Sequence, residues 1–478
     1  MTDTYASLKP QKVWAYFRDL NNIPRPSGHE QKVALYLKDF ARSHNYDCSI
    51  DKFGNVIINV KASEGKEKTP KVILQAHMDM VPVAKDGITF DFLNEPIKTY
   101  IDGTWVKAYG TTLGADDGIG IATILALLDN KELKHGPLTA IFTVEEETTM
   151  KGALGLDAKD LDGDYLINLD SEENDQLYIG CAGSCDIKLN QKINFNKTDK
   201  KGLEISLTKL LGGHSGADIN LGHANAICVM ARILSRVAQN TDFEICSFDG
   251  GTVRNSIPSF CKVKITAKDE LVFKELLKTA SAIELGIYKN IEKEAILLVN
   301  ETSVSYVMPK DDSKKLLNVL QSLHHGVVRM SDIDSSIVET SINLGTVRTS
   351  SDGVTVTLMP RSLKEDALLD TILNVKALAS LSNLEFITEH QHSCWLSPQD
   401  NTVIRALNKA NQELYGRKFN ITLMHAGLET ATFAKTCPKL QLVSLGATIL
   451  YPHSPQECVD IDGVNRVYNI LLKTLSEL

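Results

Sequence analysis

Short apolar runs alternating with helix-patterned segments constrain the fold of this chain more than any other feature. Residues 55–60, 71–75 (KVILQ), 138–144 (LTAIFTV) and 165–169 (YLINL) read as strands, and a further strand spans 440–445. Between and around them, residues 13–20, 31–42, 401–414 and 463–475 carry apolar positions at helical spacing. Residues 119–128 read as an almost wholly apolar helix behind the cap-like Asp116-Asp117-Gly118. Strands separated by helices predict an α/β domain with a largely parallel sheet.

The middle of the chain follows a different pattern. Gly251-Thr-Val-Arg-Asn255 is echoed by Gly345-Thr-Val-Arg-Thr349. Each copy is preceded by a helix and followed by a strand pattern (CKVKITA, GVTVTLM) and a second helix. Two tandem βαββαβ-like modules account for this order. The predicted architecture is therefore a discontinuous α/β domain, 1–185 and 391–478, interrupted by an inserted α+β lid domain at 186–390. At 478 residues the chain is long enough for several cores.

Charge and composition remove several classes of function. Lys plus Arg is 51 against 60 for Asp plus Glu, a formal charge of −9, and there is no basic block. Such a chain is a poor match for a nucleic-acid backbone. The longest apolar stretch is about half of what a membrane span needs. The first residues show neither a basic nor an apolar leader pattern, and nine scattered cysteines without CxxC spacing suit a reducing compartment. The expectation is a cytoplasmic protein with neither nucleic-acid nor membrane partners.

Potential metal ligands gather just beyond the predicted strands. His77 and Asp79 lie two apart in QAHMDMVP, and Asp116 lies in the loop TTLGADDGIG. Glu145, Glu146 and Glu147 follow LTAIFTV, Asp170 ends YLINL, and His453 lies in YPHSP. Ligands in open α/β sheets bind beyond the carboxyl ends of strands, so this shared placement is informative. Two histidines with several carboxylates and no thiolate suit zinc or a similar divalent ion. Asp116, Glu147, Asp170 and a hydroxide together balance two divalent cations, with Asp116 free to bridge them. Singly, an HxD is an ordinary strand end and an EEE run a solvated turn. Their joint occurrence in this order is what carries the reading.

The motifs QAHMDMVP (75–82), TTLGADDGIG (111–120), EEETTMKGALGL (145–156), NLDSEE (168–173), CAGS (181–184), GGHSG (212–216), HAGLE (425–429) and YPHSP (451–455) run across most of the chain. In these the sequence resembles the dinuclear-zinc exopeptidase family that includes peptidase T, carboxypeptidase G and carnosinase. The resemblance implies two Zn2+ per chain, with Co2+ or Mn2+ as substitutes. His77, Asp116 and Asp170 would hold one ion, and Asp116, Glu147 and His453 the other. Asp79 would orient His77. Glu146 would be the general base, a register taken by aligning residues 152–156 with the family's following segment. His214 would stabilise the oxyanion.

Asn255, Arg361 and Gly427 would bind the substrate, with Arg361 on its carboxylate. Arg254 and Arg348 compete for that role. An aspartate at position 170 resembles the family's aminopeptidase and dipeptidase members more than its carboxypeptidases. A substrate held at both ends, its amine near the acidic cluster and its carboxylate on Arg361, would be short. This implies dipeptides, Xaa-His types such as carnosine included, and closure would hinge near 185 and 391. Alternatives on the same scaffold are a tripeptidase, a carboxypeptidase, an N-acyl-amino-acid deacylase or a catalytically silent zinc-binding homologue. Glu146 beside a full ligand set argues against the last. The inserted domain either imitates a dimer within one chain or supports a homodimer.

Overall fold

A computed structural model describes residues 5–398 and 400–478. The chain divides into two compact units. The first comprises the chain up to Cys181 together with Trp395–Leu423 and Leu428–Leu478, and the second comprises Ala182–Cys394 and Met424–Gly427.

The first unit is built on a mixed sheet in the order Asp47–Ile50, Val56–Val60, Leu138–Thr143, Val72–His77, Tyr165–Asn168, Gln441–Ser444, Gln176–Cys181 and Trp395–Leu396. Only the four central strands, Leu138–Thr143 to Gln441–Ser444, run parallel. The flanks are antiparallel, which narrows the expected parallel sheet to its centre. At one edge the cause is local: Asp51 accepts from the amides of Phe53, Gly54 and Asn55, and this tight turn folds the first two strands into a hairpin.

Every residue of Val72–His77, Leu138–Thr143 and Tyr165–Asn168 is buried, as expected where both faces of a parallel sheet are covered. The apolar helix Ala115–Leu128 is buried on all sides from Gly118 onward. Its start differs from a simple cap: Asp116 and Asp117 leave helical geometry, and the Asp117 carboxylate accepts from Gly120 N at 3.1 Å. The helix Thr402–Tyr415 is capped by Asn401, which accepts from Ile404 N at 2.9 Å.

In the second unit a nine-stranded antiparallel sheet contains both expected modules. One uses Lys201–Thr208, Phe243–Gly250, Cys261–Ala267 and Ile296–Ser303 with helices Ala226–Val237 and Glu270–Ile287. The other uses Gly183–Lys192, Val338–Ser350, Gly353–Ser362 and Glu385–His392 with helices Lys310–Ser322 and Glu365–Leu381. In each, strands lie in the spatial order 4-1-3-2, and the second strands of the two modules meet at Gly250 and Val347. The modules are nested rather than consecutive, because the first strand of the outer one precedes the whole inner one in the chain.

The sequence echo lies at this junction. A Cβ on Gly251 would sit 2.0 Å from the carbonyl oxygen of Gly345, and one on Gly345 would meet the backbone of Arg254 at 2.6 Å. Two backbones approach there too closely for any side chain. All nine cysteines are free thiols, and among the described residues no helix is long and apolar enough to cross a membrane.

Candidate metal centre

In the first unit the acidic and histidine side chains converge at the carboxyl ends of the parallel strands. His77 ends Val72–His77 and is 1% exposed. Asp170 lies two residues past Tyr165–Asn168, and the acidic turn follows Leu138–Thr143. His453 sits in the loop between the strands Ile449–Leu450 and Cys458–Asp460. Asp116 is central: its Oδ1 lies 3.0 Å from His77 Nε2 and its Oδ2 3.2 Å from His453 Nε2. Asp170 Oδ1 is 3.7 Å from His77 Nε2, and Glu147 Oε2 is 2.9 Å from His453 Nε2. His77–Asp116–Asp170 and Asp116–Glu147–His453 thus form two sets of potential ligand atoms that share Asp116. A third set, His77–Glu146–Glu147, brings Glu146 to the same place.

The electrostatics fit a pair of divalent cations. Burial, then the charges of neighbouring carboxylates, pushes the Asp170 and Glu146 carboxyls well above the ordinary range. Burial opposes a charge on His453, yet hydrogen bonds to Asp116 and Glu147 raise it to about 11. His77 is raised in the same way by Asp116 and Asp79. The carboxylates therefore favour positive charge in the site, and a metal ion would compete with protons for the imidazoles. Glu147 Oε1 is buried without a hydrogen-bond partner, which leaves it available as a ligand.

Asp79 holds the arrangement from behind. Its carboxylate lies 3.3 Å from His77 Nδ1 and accepts from Ser27 Oγ at 2.7 Å, Glu146 N at 3.0 Å and Glu147 N at 3.2 Å. One buried side chain thus lies beside the imidazole and holds two amides of the acidic turn. Glu145 faces away, with its carboxylate on Lys151 Nζ at 2.8 Å.

The second unit carries a basic cluster. Arg361 is 4% exposed; its guanidinium donates to Ser215 Oγ at 3.3 Å and contacts Met359 Sδ at 3.7 Å. Among the described residues it meets no carboxylate at ion-pair distance, and burial, with Arg254 nearby, pushes it down to about 10. Arg254 pairs with Asp186 at 2.8 Å, while Arg348 donates to the carbonyls of Val347, Gly250 and Gly251 at the module junction. Arg361 alone of the three is buried without a counter-charge at that distance.

His214 Nδ1 accepts from the amides of Gly216 and Ala217, so its proton resides on Nε2 as a hydrogen-bond donor. His425 Nε2 lies 2.7 Å from Ser341 Oγ, and burial, Arg361 and His214 hold it neutral with a pKa of about 3. Asn255 is exposed, its carbonyl accepting from Ser215 N at 2.9 Å, and Gly427 is half-buried in the segment Met424–Gly427.

The model of peptidase family M20/M25/M40 matches residues 73–477. The chain belongs to this family. It is 36% identical over 482 residues to the cytosol non-specific dipeptidase of Escherichia coli K12, covering 99% of each protein. It superposes on the crystal structure of the aminoacylhistidine dipeptidase of Vibrio alginolyticus with a TM-score of 0.84 and 35% identity, covering 99% of this chain and 98% of that one. A tripeptidase from Staphylococcus aureus, 15% identical with a TM-score of 0.58 and 98% of each chain covered, shares the fold.

Arg25, Glu457 and Glu429 are among the buried acidic and basic groups of this M20-family chain that local sequence pattern did not mark. Arg25 donates to the carbonyls of Met78, Asp79 and Gly114. Glu457 accepts from the amides of Leu113, Gly114, Ala115 and Asp116. Glu429, inside the quoted HAGLE motif, accepts from Gln75 Nε2 at 2.6 Å and Thr143 Oγ1 at 2.7 Å. Gln75 in turn accepts from Asn168 Nδ2 at 2.6 Å, which carries the network beneath the strand ends. Membership of the quoted motif was the one available signal for Glu429, and no local pattern marks the other two.

Proposed function

We infer that the chain hydrolyses dipeptides, Xaa-His dipeptides such as carnosine included, with two divalent metal ions, zinc in the first instance and cobalt or manganese as substitutes. His77, Asp116 and Asp170 would hold one ion and Asp116, Glu147 and His453 the other. The observation that carries this reading is the orientation of Asp116, whose two oxygens face different imidazoles and so divide the cluster into two sets. Full-length similarity to two proteins named as dipeptidases supports the substrate class. When bound, the ions supply Lewis acidity and bring water to a reactive state near neutral pH.

The remaining roles belong to side chains of the chain. Glu146 takes the proton of the attacking water on its carboxylate and returns it to the leaving amine nitrogen as the C–N bond breaks. Burial and the charge of Asp170 raise its proton affinity, as a proton carrier requires. His214 donates its Nε2 proton in a hydrogen bond to the oxyanion. Arg361 receives the carboxylate of the substrate, its planar fork suited to two parallel bonds, while Asn255 and Gly427 contact the peptide backbone. Asp79 keeps the His77 imidazole aimed.

The test is hydrolysis of a panel of di-, tri- and N-blocked peptides, carnosine among them, by zinc-loaded and chelated protein. Dipeptide cleavage that disappears on chelation is the expected result. Cleavage confined to tripeptides or blocked amino acids would overturn the roles of Arg361 and His214 while leaving the metal reading standing. No cleavage with two zincs bound would mean a silent homologue.

A further inference from the structure

We propose that Glu457 and Arg25 are positioning residues that set the shared ligand Asp116, locking the segments that carry His77, Asp116 and His453 into one rigid piece. Neither residue belongs to a set of potential ligand atoms. Both are buried, at 2% and 1% exposure, and neither forms an ion pair among the described residues. Burying an unpaired charge is expensive unless hydrogen bonds satisfy it. Here Glu457's bonds fall on the loop that leads into Asp116, and Arg25's on that loop and on the segment just after His77.

Glu457 Oε2 accepts from Leu113 N at 2.7 Å and Gly114 N at 3.0 Å, and its Oε1 accepts from Ala115 N at 2.7 Å and Asp116 N at 3.2 Å. Four successive amides thus wrap one carboxylate, as in the backbone nests that bind anions. The last of them belongs to Asp116, so its backbone position is fixed directly. Glu457 lies four residues after His453, and the same contact therefore ties the His453 loop to Asp116.

Arg25 acts on the opposite side of the loop. Its Nη1 donates to the carbonyls of Met78 and Asp79, both at 2.9 Å, and its Nη2 donates to the carbonyl of Gly114. This joins the segment just after His77 to the segment just before Asp116. Gly114 is held from both directions, its amide on Glu457 and its carbonyl on Arg25. It has a φ of +68°, and a Cβ there would come within 2.8 Å of Arg25 Nη2. A residue other than glycine would displace the guanidinium.

The proposal rests on the two-metal reading above, and one titration separates the two. Metal-free protein is titrated with zinc against a chromophoric chelator, for the unsubstituted chain, Glu457→Gln and Glu457→Asp. Glutamine keeps the volume but turns an amide donor toward the backbone donors; aspartate keeps the charge but reaches fewer of them. The unsubstituted chain is expected to take up two equivalents tightly; fewer would sink the two-metal reading itself. Glu457→Gln is expected to bind both equivalents roughly 10- to 100-fold more weakly, because both sets use Asp116, with Glu457→Asp in between. Its kcat for a dipeptide falls at fixed zinc, recovers as free zinc is raised, and leaves KM unchanged. Two wild-type affinities in Glu457→Gln would overturn the proposal, as would a lost activity that zinc does not restore. So would circular dichroism showing both variants unfolded without metal, because Glu457 would then serve the fold and not the ligand.

Discussion

The acidic cluster of the first unit and the basic cluster of the second carry excess charge of opposite sign. The first gathers Asp116, Glu146, Glu147 and Asp170 around two imidazoles, whose proton affinity they raise. The second buries the Arg361 guanidinium beside Arg254, with no carboxylate at ion-pair distance from it among the described residues. A buried excess of either sign is costly, so each cluster calls for a partner of the other charge: divalent cations for the acidic one, a carboxylate for the basic one. They also differ in construction. The acidic side chains sit on loops at adjacent strand ends, fixed by backbone amides that Asp79 and Glu457 accept. The basic ones are each held by a serine hydroxyl, Arg361 on Ser215 and His425 on Ser341.

If the division of labour is real, changes in the acidic cluster move metal binding or kcat, and changes in the basic cluster move KM. The largest effect is expected from Glu146→Gln. As a general base its loss lowers kcat by roughly 10²- to 10⁴-fold with both zincs retained, measured by steady-state kinetics beside metal analysis. Because Glu146 also falls within a ligand set with His77 and Glu147, the opposite result is well defined. A lost zinc with kcat restored by added metal would make it a ligand. Next in size is Arg361→Met, expected to raise KM for dipeptides roughly 10- to 100-fold, the worth of charge-assisted hydrogen bonds to a carboxylate. Dipeptide amides, which lack that carboxylate, should respond little. A change in zinc affinity in Arg361→Met would break the comparison.

The same contrast explains how much the sequence disclosed. His77, Asp116, Glu147, Asp170 and His453 were legible because each follows a short apolar run or opens a helix, so local pattern and residue type together mark them. Helices were legible for the same reason, as the apolar stretch at 119–128 lies within the observed Ala115–Leu128. Arg25 and Glu457 were not, since they act on residues 89 and 342 positions away and no period announces such a contact. Glu429 reaches Gln75 across 354 positions. Strand direction was hidden similarly: Val56–Val60 has the apolar character of a central strand, but its partners make it antiparallel on both sides. The nesting of the modules was illegible because the alternation in Gly183–Lys192 is the same whichever module it joins.

The smallest predicted effect is a response to acid, and it tests the basic cluster without substrate or metal. Burial, Arg361 and His214 lower His425 to about 3, against about 6.5 for an unfolded histidine. Between those values the unfolded chain binds a proton that the folded chain refuses, so stability falls as pH drops through that window and is unaffected above it. By pH 5 the loss attributable to His425 is about 2 kcal/mol. Other buried histidines, such as His325 at about 4, add to the total. Metal-free protein is the sample to use, because acid also protonates the carboxylates and would release bound ions. Urea unfolding at pH 7 and pH 5 is then compared for the unsubstituted chain and His425→Gln, which keeps a hydrogen-bonding group for Ser341 but cannot titrate. The variant should lose less stability between the two pH values by about 2 kcal/mol, the other groups cancelling in the difference. Equal losses would mean that His425 takes up its proton in the folded chain, and the basic cluster would then tolerate more positive charge than its burial beside Arg361 implies.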